Sequence, residues 1–126
     1  MPAPAPLNTT EGPPGGQAFW LHASDGVRLR IAHWPGTRGT VLVFPGRTEY
    51  IEKYALVVAD LARAGWGALV IDWRGQGLSD RLAGDVALGH VGRFHDYQLD
   101  VATLRHAAET LECRAPLPVL AHSMGG

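Results

Sequence analysis

The chain has 126 residues, 46% of them hydrophobic and 18% charged, with a formal net charge of −1. Those values allow one small globular domain and exclude a basic field, so nucleic acid is not expected as a partner. The single cysteine, Cys113, has no internal partner for a disulfide, and no apolar run is long enough to span a membrane.

Residues 1–16 hold five prolines and three glycines with almost no large apolar side chains. Such a stretch cannot bury enough surface to offset its ordering entropy, and a flexible leader is expected there. It has neither the positive nor the apolar region of a secretory signal, which makes cytoplasmic residence the default expectation. Residues 17–126 read as one domain.

Phe19-Trp20-Leu21 and Val27-Arg28-Leu29-Arg30-Ile31 flank Ser24-Asp25-Gly26. The Asp-Gly pair between them predicts an antiparallel hairpin, and the alternation of Val27, Leu29 and Ile31 with arginines predicts a half-exposed second strand. Thr40–Phe44 is instead continuously apolar or β-branched, as in a strand covered on both faces, and it ends at Pro45-Gly46. A helix is predicted from about Glu49 to Ala64, with Tyr54, Val57, Val58, Leu61 and Ala62 as its apolar stripe. Thr48 is the expected cap, Glu49 and Glu52 suit the positive end of its dipole, and Gly65 is its expected end.

Ala68–Ile71 is the next expected strand, leaving through Asp72-Trp73-Arg74-Gly75-Gln76-Gly77-Leu78-Ser79. That stretch lacks the spacing of a phosphate or dinucleotide loop and reads as a structural turn whose Asp72 and Arg74 pair internally. A loop then runs to about Arg93. A second helix is predicted from about Asp96 to Glu112 on the spacing of Tyr97, Val101, Leu104, Ala108 and Leu111, and a last strand over Leu117–Ala121. Buried strands alternating with amphipathic helices give an α/β class: a mostly parallel sheet with helices on both faces and an antiparallel hairpin at one edge.

The last strand runs into Ala121-His122-Ser123-Met124-Gly125, a small residue, a serine and a glycine at alternating positions. Alone the pattern is weak. Directly after a buried strand of a βαβ chain it is the pattern of a nucleophile elbow, in which a serine sits on a strained strand-to-helix turn. Bulk two residues before or after the serine would clash, which explains Ala121 and Gly125. Ser123 is therefore the candidate nucleophile. Its oxyanion donors are expected to be the backbone N–H of Met124 and, in the loop after Phe44, that of Arg47, with Gly46 permitting close approach. The six histidines show no zinc spacing, and no metal or cofactor is expected. His122 is expected to point away from the serine hydroxyl, and Cys113 to be a half-buried thiol near a helix end.

Three stretches in order, Phe44-Pro45-Gly46-Arg47-Thr48-Glu49-Tyr50, Asp72 to Ser79, and Ala121 to Gly126, make the chain from Phe19 onward similar to the serine branch of the α/β-hydrolase superfamily. It most resembles the lysophospholipase and monoacylglycerol-lipase group, also described as serine aminopeptidase-like hydrolases. Two positions depart from that pattern: Pro45 stands where a histidine is usual, and Ala121 where glycine is commoner. The resemblance implies the N-terminal half of an α/β-hydrolase fold, with residues 17–126 an incomplete domain ending at the elbow. The triad acid, the base histidine and the cap would lie beyond Gly126. It further implies an ester or lipid substrate, hydrolysed through an acyl-enzyme by the full-length protein, and transient contact with a membrane surface through the cap. Two alternatives stay open: a serine aminopeptidase or acyltransferase on the same fold, or a non-catalytic truncated fragment. Dehalogenase and epoxide-hydrolase chemistry is disfavoured, because those relatives carry an aspartate at the position of Ser123.

Overall fold

A computed structural model describes residues 2–46, 48–80 and 94–122, the last stretch without the side chains of Phe94 and His95. One six-stranded sheet organises them: β1 (Ala3–Ala5), β2 (Gln17–His22), β3 (Arg28–Trp34), β4 (Gly39–Phe44), β5 (Trp66–Ile71) and β6 (Val119–Ala121). Their order across the sheet is β1-β2-β3-β5-β4-β6. A 3₁₀ turn (Ile51–Tyr54) leads into α1 (Ala55–Arg63), and α2 (Phe94–Thr110) precedes β6. The expected loop to Arg93 falls mostly on residues outside those described.

The hairpin forms as expected. β2 and β3 pair antiparallel with Trp20 opposite Arg30, and Gly26 donates its N–H to the Ala23 carbonyl at 2.9 Å to close the turn. The antiparallel part of the sheet is larger than one hairpin, because β3 also pairs antiparallel with β5, and β1 with β2. β1 lies inside the stretch expected to be a flexible leader. Pro4 faces Phe19 in that pairing, and a residue without an N–H is tolerated there because β1 is an edge strand. Leu7 and Ala5 add apolar contact against the sheet.

The parallel part is β5-β4-β6. From β4 the chain crosses by α1 to β5 on one side, and from β5 by α2 back past β4 to β6 on the other. Right-handed crossovers in opposite directions put the two helices on opposite faces. Two separate cores follow. Val41, Val43, Ala68 and Val70 pack with Trp34, Ile51, Tyr54 and Val58 on the α1 face. Leu42, Leu69 and Ile71 pack with Phe19, Leu29, Ile31, Leu104 and Ala108 on the α2 face. The strands that read as continuously apolar thus divide their side chains between two cores at a period of two.

Three local expectations are corrected. Helix α1 does not start at a Thr48 cap: Tyr50 is extended (φ −145°, ψ 167°), a 3₁₀ turn intervenes, and no side chain caps either start. Thr48 is instead at φ +64°, turned away from a capping geometry. Within the expected stripe, Tyr54 and Val58 are buried while Val57 is exposed, because the tighter turn over 51–54 rotates the face, and Ala55 is buried in its place. Gly65 ends α1 as expected, at φ +88°, a conformation that costs an L side chain strain.

Arg30 provides the second correction. Its alternation predicted an exposed side chain, yet only 1% of it is accessible, since β3 is an interior strand. Its guanidinium bonds Asp72 Oδ2 through Nε at 2.8 Å and Glu52 through both terminal nitrogens at 2.7 and 2.6 Å. Burial works to lower its pKa, but the Glu52 and Asp72 carboxylates outweigh that and raise it. The third correction is that Asp72 and Arg74 do not pair with each other. Asp72 is taken by Arg30, and Arg74 by Asp100 at 2.8 Å and Asp25 at 2.7 Å. The turn is structural, but it is fastened to other elements rather than to itself. Gly77 is required within it, since a Cβ there would lie 2.2 Å from the Asp72 carboxylate.

Candidate active site

In an open α/β sheet, ligands bind outside the carboxyl ends of the strands where the strand order reverses. Here that point lies between β4 and β6. The two strands are in parallel register, with Leu42 opposite Val119 and Phe44 opposite Ala121. Beyond the register, His122 donates its backbone N–H to the Phe44 carbonyl at 3.1 Å. The chain that leaves β6 toward Ser123 is therefore held against the chain that leaves β4 toward Arg47.

Ser123, Arg47 and Met124, the residues expected from the sequence to act directly, all lie outside the described residues. Their neighbours are described and close together. Gly46 donates its N–H to Glu49 Oε1 at 2.5 Å, and Glu49 Oε1 also accepts the Tyr54 hydroxyl at 2.5 Å. His122 Nδ1 lies 3.3 Å from the same oxygen. A Cβ on Gly46 would stand 2.7 Å from Glu49 Oε1 and 2.9 Å from His122 Nδ1, so these two side chains occupy the space a side chain here would need. On the other side of Arg47, Thr48 donates its N–H to Gln76 Oε1 at 2.6 Å. Trp73 fixes the loop from below, its indole N–H reaching the Pro45 carbonyl at 2.8 Å.

These contacts set the electrostatics. The Tyr54 hydroxyl holds the Glu49 carboxyl below the usual range, assisted by the Gly46 N–H and His122 against the opposing effect of burial. Burial, together with the Glu49 carboxylate, pushes the Tyr54 phenol up to about 12. The cluster is an anionic oxygen ringed by donors at the mouth of the switch point.

Glu49, Tyr54 and Gln76 were not singled out from the sequence. In the sequence Glu49 is only a dipole partner, Tyr54 part of a stripe and Gln76 part of a structural turn. No spacing rule links positions 48 and 76, which meet only because β4 and β5 are adjacent. Cys113 is half-buried beyond the end of α2, as expected, and burial pushes its thiol up. His122 is exposed and faces Glu49. Among the described residues no three His, Cys, Asp or Glu side chains are grouped to hold a metal ion, and no helix is long and apolar enough to cross a membrane.

The family model described as serine aminopeptidase, S33, matches residues 35–126. Lysophospholipase L2 of Escherichia coli strain K12 is 43% identical over 100 residues, covering 79% of this chain and 28% of that protein. Probable lysophospholipase L2 of Haemophilus influenzae is 32% identical over 110 residues, covering 84% and 34%. Among solved structures, a soluble variant of monoglyceride lipase from Saccharomyces cerevisiae, in complex with a substrate analog, superposes with a TM-score of 0.70 at 25% identity, over 97% of this chain and 38% of that one. The chain thus spans about a third or less of the length of these relatives. By the match over residues 35–126 and the identity to the lysophospholipases, the chain belongs to the serine aminopeptidase S33 family, in the lysophospholipase-like group of the α/β-hydrolases.

Proposed function

We propose that this chain carries the nucleophile and the oxyanion loop of a carboxylic-ester hydrolase acting on lysophospholipid or monoacylglycerol-type esters. The observation that carries the reading is the His122 N–H to Phe44 carbonyl bond, which brings the chains leading to Ser123 and Arg47 together at the switch point. The names of the relatives support the substrate class.

In this reading the Ser123 hydroxyl attacks the ester carbonyl while a general base takes its proton. The N–H groups of Arg47 and Met124 hold the developing oxyanion. Collapse of the tetrahedral intermediate breaks the bond to the alcohol, which leaves with that proton, and water then hydrolyses the acyl-serine. In the order of such triads the acid and base follow the serine, and only Met124, Gly125 and Gly126 do so here. The relatives, of which this chain covers 28% and 34%, are long enough to hold both groups after their serine.

The test uses the full-length protein as its gene encodes it. A fluorophosphonate should label Ser123, and Ser123→Ala should abolish both labelling and turnover of a lysophospholipid or monoacylglycerol. Undiminished labelling of the alanine variant would overturn the assignment. Faster cleavage of an aminoacyl amide than of either ester would move the substrate class to peptides.

A further inference from the structure

Thr48 is a β-branched residue held at φ +64°, in the left-handed region. That conformation costs a non-glycine residue about 1–2 kcal/mol, more when it is branched at Cβ, and persists only where the surroundings impose it. The Thr48 N–H in this conformation is accepted by the side-chain carbonyl of Gln76 at 2.6 Å.

Gln76 itself is an expensive choice for the position. It is 4% accessible, and its amide nitrogen finds no partner among the described residues. A buried amide left half unpaired costs about 1–3 kcal/mol, which a methionine of similar shape would avoid. The carboxamide orientation is fixed by the contact, since only the oxygen can accept an N–H. The loop also has an independent clamp on its other side, where Gly46 donates to Glu49. The N–H groups before and after Arg47 are thus both committed to side chains. Two unfavourable local choices, a strained threonine and a half-paired buried glutamine, converge on one hydrogen bond beside Arg47.

We propose that Gln76 is a positioning residue: by holding Thr48 in its left-handed conformation, its side-chain carbonyl sets the path of the loop whose Arg47 N–H serves as oxyanion donor. It touches no substrate, and its effect is on where the donor stands in the transition state. This rests on the oxyanion-loop reading above.

The experiment measures kcat, KM and thermal melting of the full-length protein on one ester, with fluorophosphonate labelling alongside. Gln76→Met, which keeps the shape and removes the acceptor, should lower kcat about tenfold to a hundredfold, with KM changed less than about threefold. Adding Thr48→Gly to that variant should recover most of the loss, because glycine adopts the left-handed conformation without being held. A merely structural role would show as a lowered melting temperature that Thr48→Gly leaves unrepaired. An unchanged kcat in Gln76→Met, or an equal loss in the double variant, would overturn the proposal while labelling of Ser123 kept the chemistry standing. Absence of labelling in the wild type would overturn both. Should Gln76→Met not fold, amide exchange at Thr48 in the wild-type protein decides: strong protection is expected, and exchange at the rate of a free loop would overturn the role.

Discussion

Arg30 and Asp72, one on an interior antiparallel strand and the other just past the end of β5, meet with Nε to Oδ2 at 2.8 Å, both inaccessible to solvent. The same carboxylate accepts the N–H of Ile51 at 2.8 Å and of Leu78 at 2.9 Å. Arg30 also bonds the Pro6 carbonyl, and Glu52 accepts the Asn8 N–H. One buried pair therefore joins the N-terminal segment, the hairpin, the 3₁₀ turn and the loop that carries Gln76.

Removing the carboxylate should be severe, because it leaves a buried guanidinium short of a partner, the buried Ile51 N–H unpaired and the part-buried Leu78 N–H without its acceptor. Asp72→Ala is expected to destabilise the protein by about 3–5 kcal/mol in urea unfolding. Arg28→Ala, which breaks an exposed pair to Asp80 at 3.5 Å, is expected to cost less than about 1 kcal/mol. Similar losses in the two variants would show that the buried network is not what holds these elements together.

Tyr54 should give stability a dependence on alkaline pH. Its folded pKa is raised to about 12 from 10, so the folded state keeps the proton that the unfolded state loses. Its contribution is fully present below about pH 10 and declines toward pH 12, by about 3 kcal/mol in total. Melting curves of the wild type and Tyr54→Phe should therefore converge over that window. A constant difference between them from pH 8 to 12 would refute the raised phenol pKa that burial and Glu49 give Tyr54.

Only the backbone of Arg47 enters the proposed chemistry. Arg47→Ala should keep most of the ester turnover of the full-length protein, whereas Arg47→Pro, which deletes the N–H, should lower kcat by about a hundredfold or more. Equal impairment of the two variants would assign the effect to the side chain or to loop packing.

The 126-residue polypeptide expressed alone should self-associate. β6 pairs with β4 on one side, and among the described residues nothing pairs with its other edge. Leu117, Val119 and Leu120 are 40%, 56% and 39% accessible along it. An apolar open edge recruits further strands. Light scattering should report large species, and Val119→Lys should reduce them. A monomer with a sharp cooperative melt would contradict this.

Much of this fold was legible in the sequence, for a physical reason that differs by element. β4 and β5 declare themselves because strands covered on both faces carry little besides apolar and β-branched residues. α2 declares itself because Leu104 and Ala108 must share one side with Tyr97. Arg30 was misread because alternation reports only that a strand has two faces. Whether the second face is wet depends on the Asp72 and Glu52 carboxylates that arrive from elsewhere. The edge strand Ala3–Ala5 was hidden by its prolines, which forbid an interior strand but not an edge one. At the site, the elbow pattern falls on residues outside those described, and the loop glycine follows from local sterics. Glu49, Tyr54 and Gln76 could not, since their roles exist only after β4, β5 and β6 are side by side.

The adjacency of β4 and β6 also has a consequence for how the protein is made. Thr40 and Leu42 donate their N–H groups to the carbonyls of Pro116 and Pro118, and Leu42 is in register with Val119. At roughly 5–20 residues per second, a ribosome takes on the order of several seconds to go from one to the other. Throughout that interval one flank of this interior, largely apolar strand waits on the nascent chain without its mate. A holdase chaperone, or a neighbouring polysome, therefore meets β4 before β6 does, and slowing translation between codons 45 and 117 should lower the soluble yield.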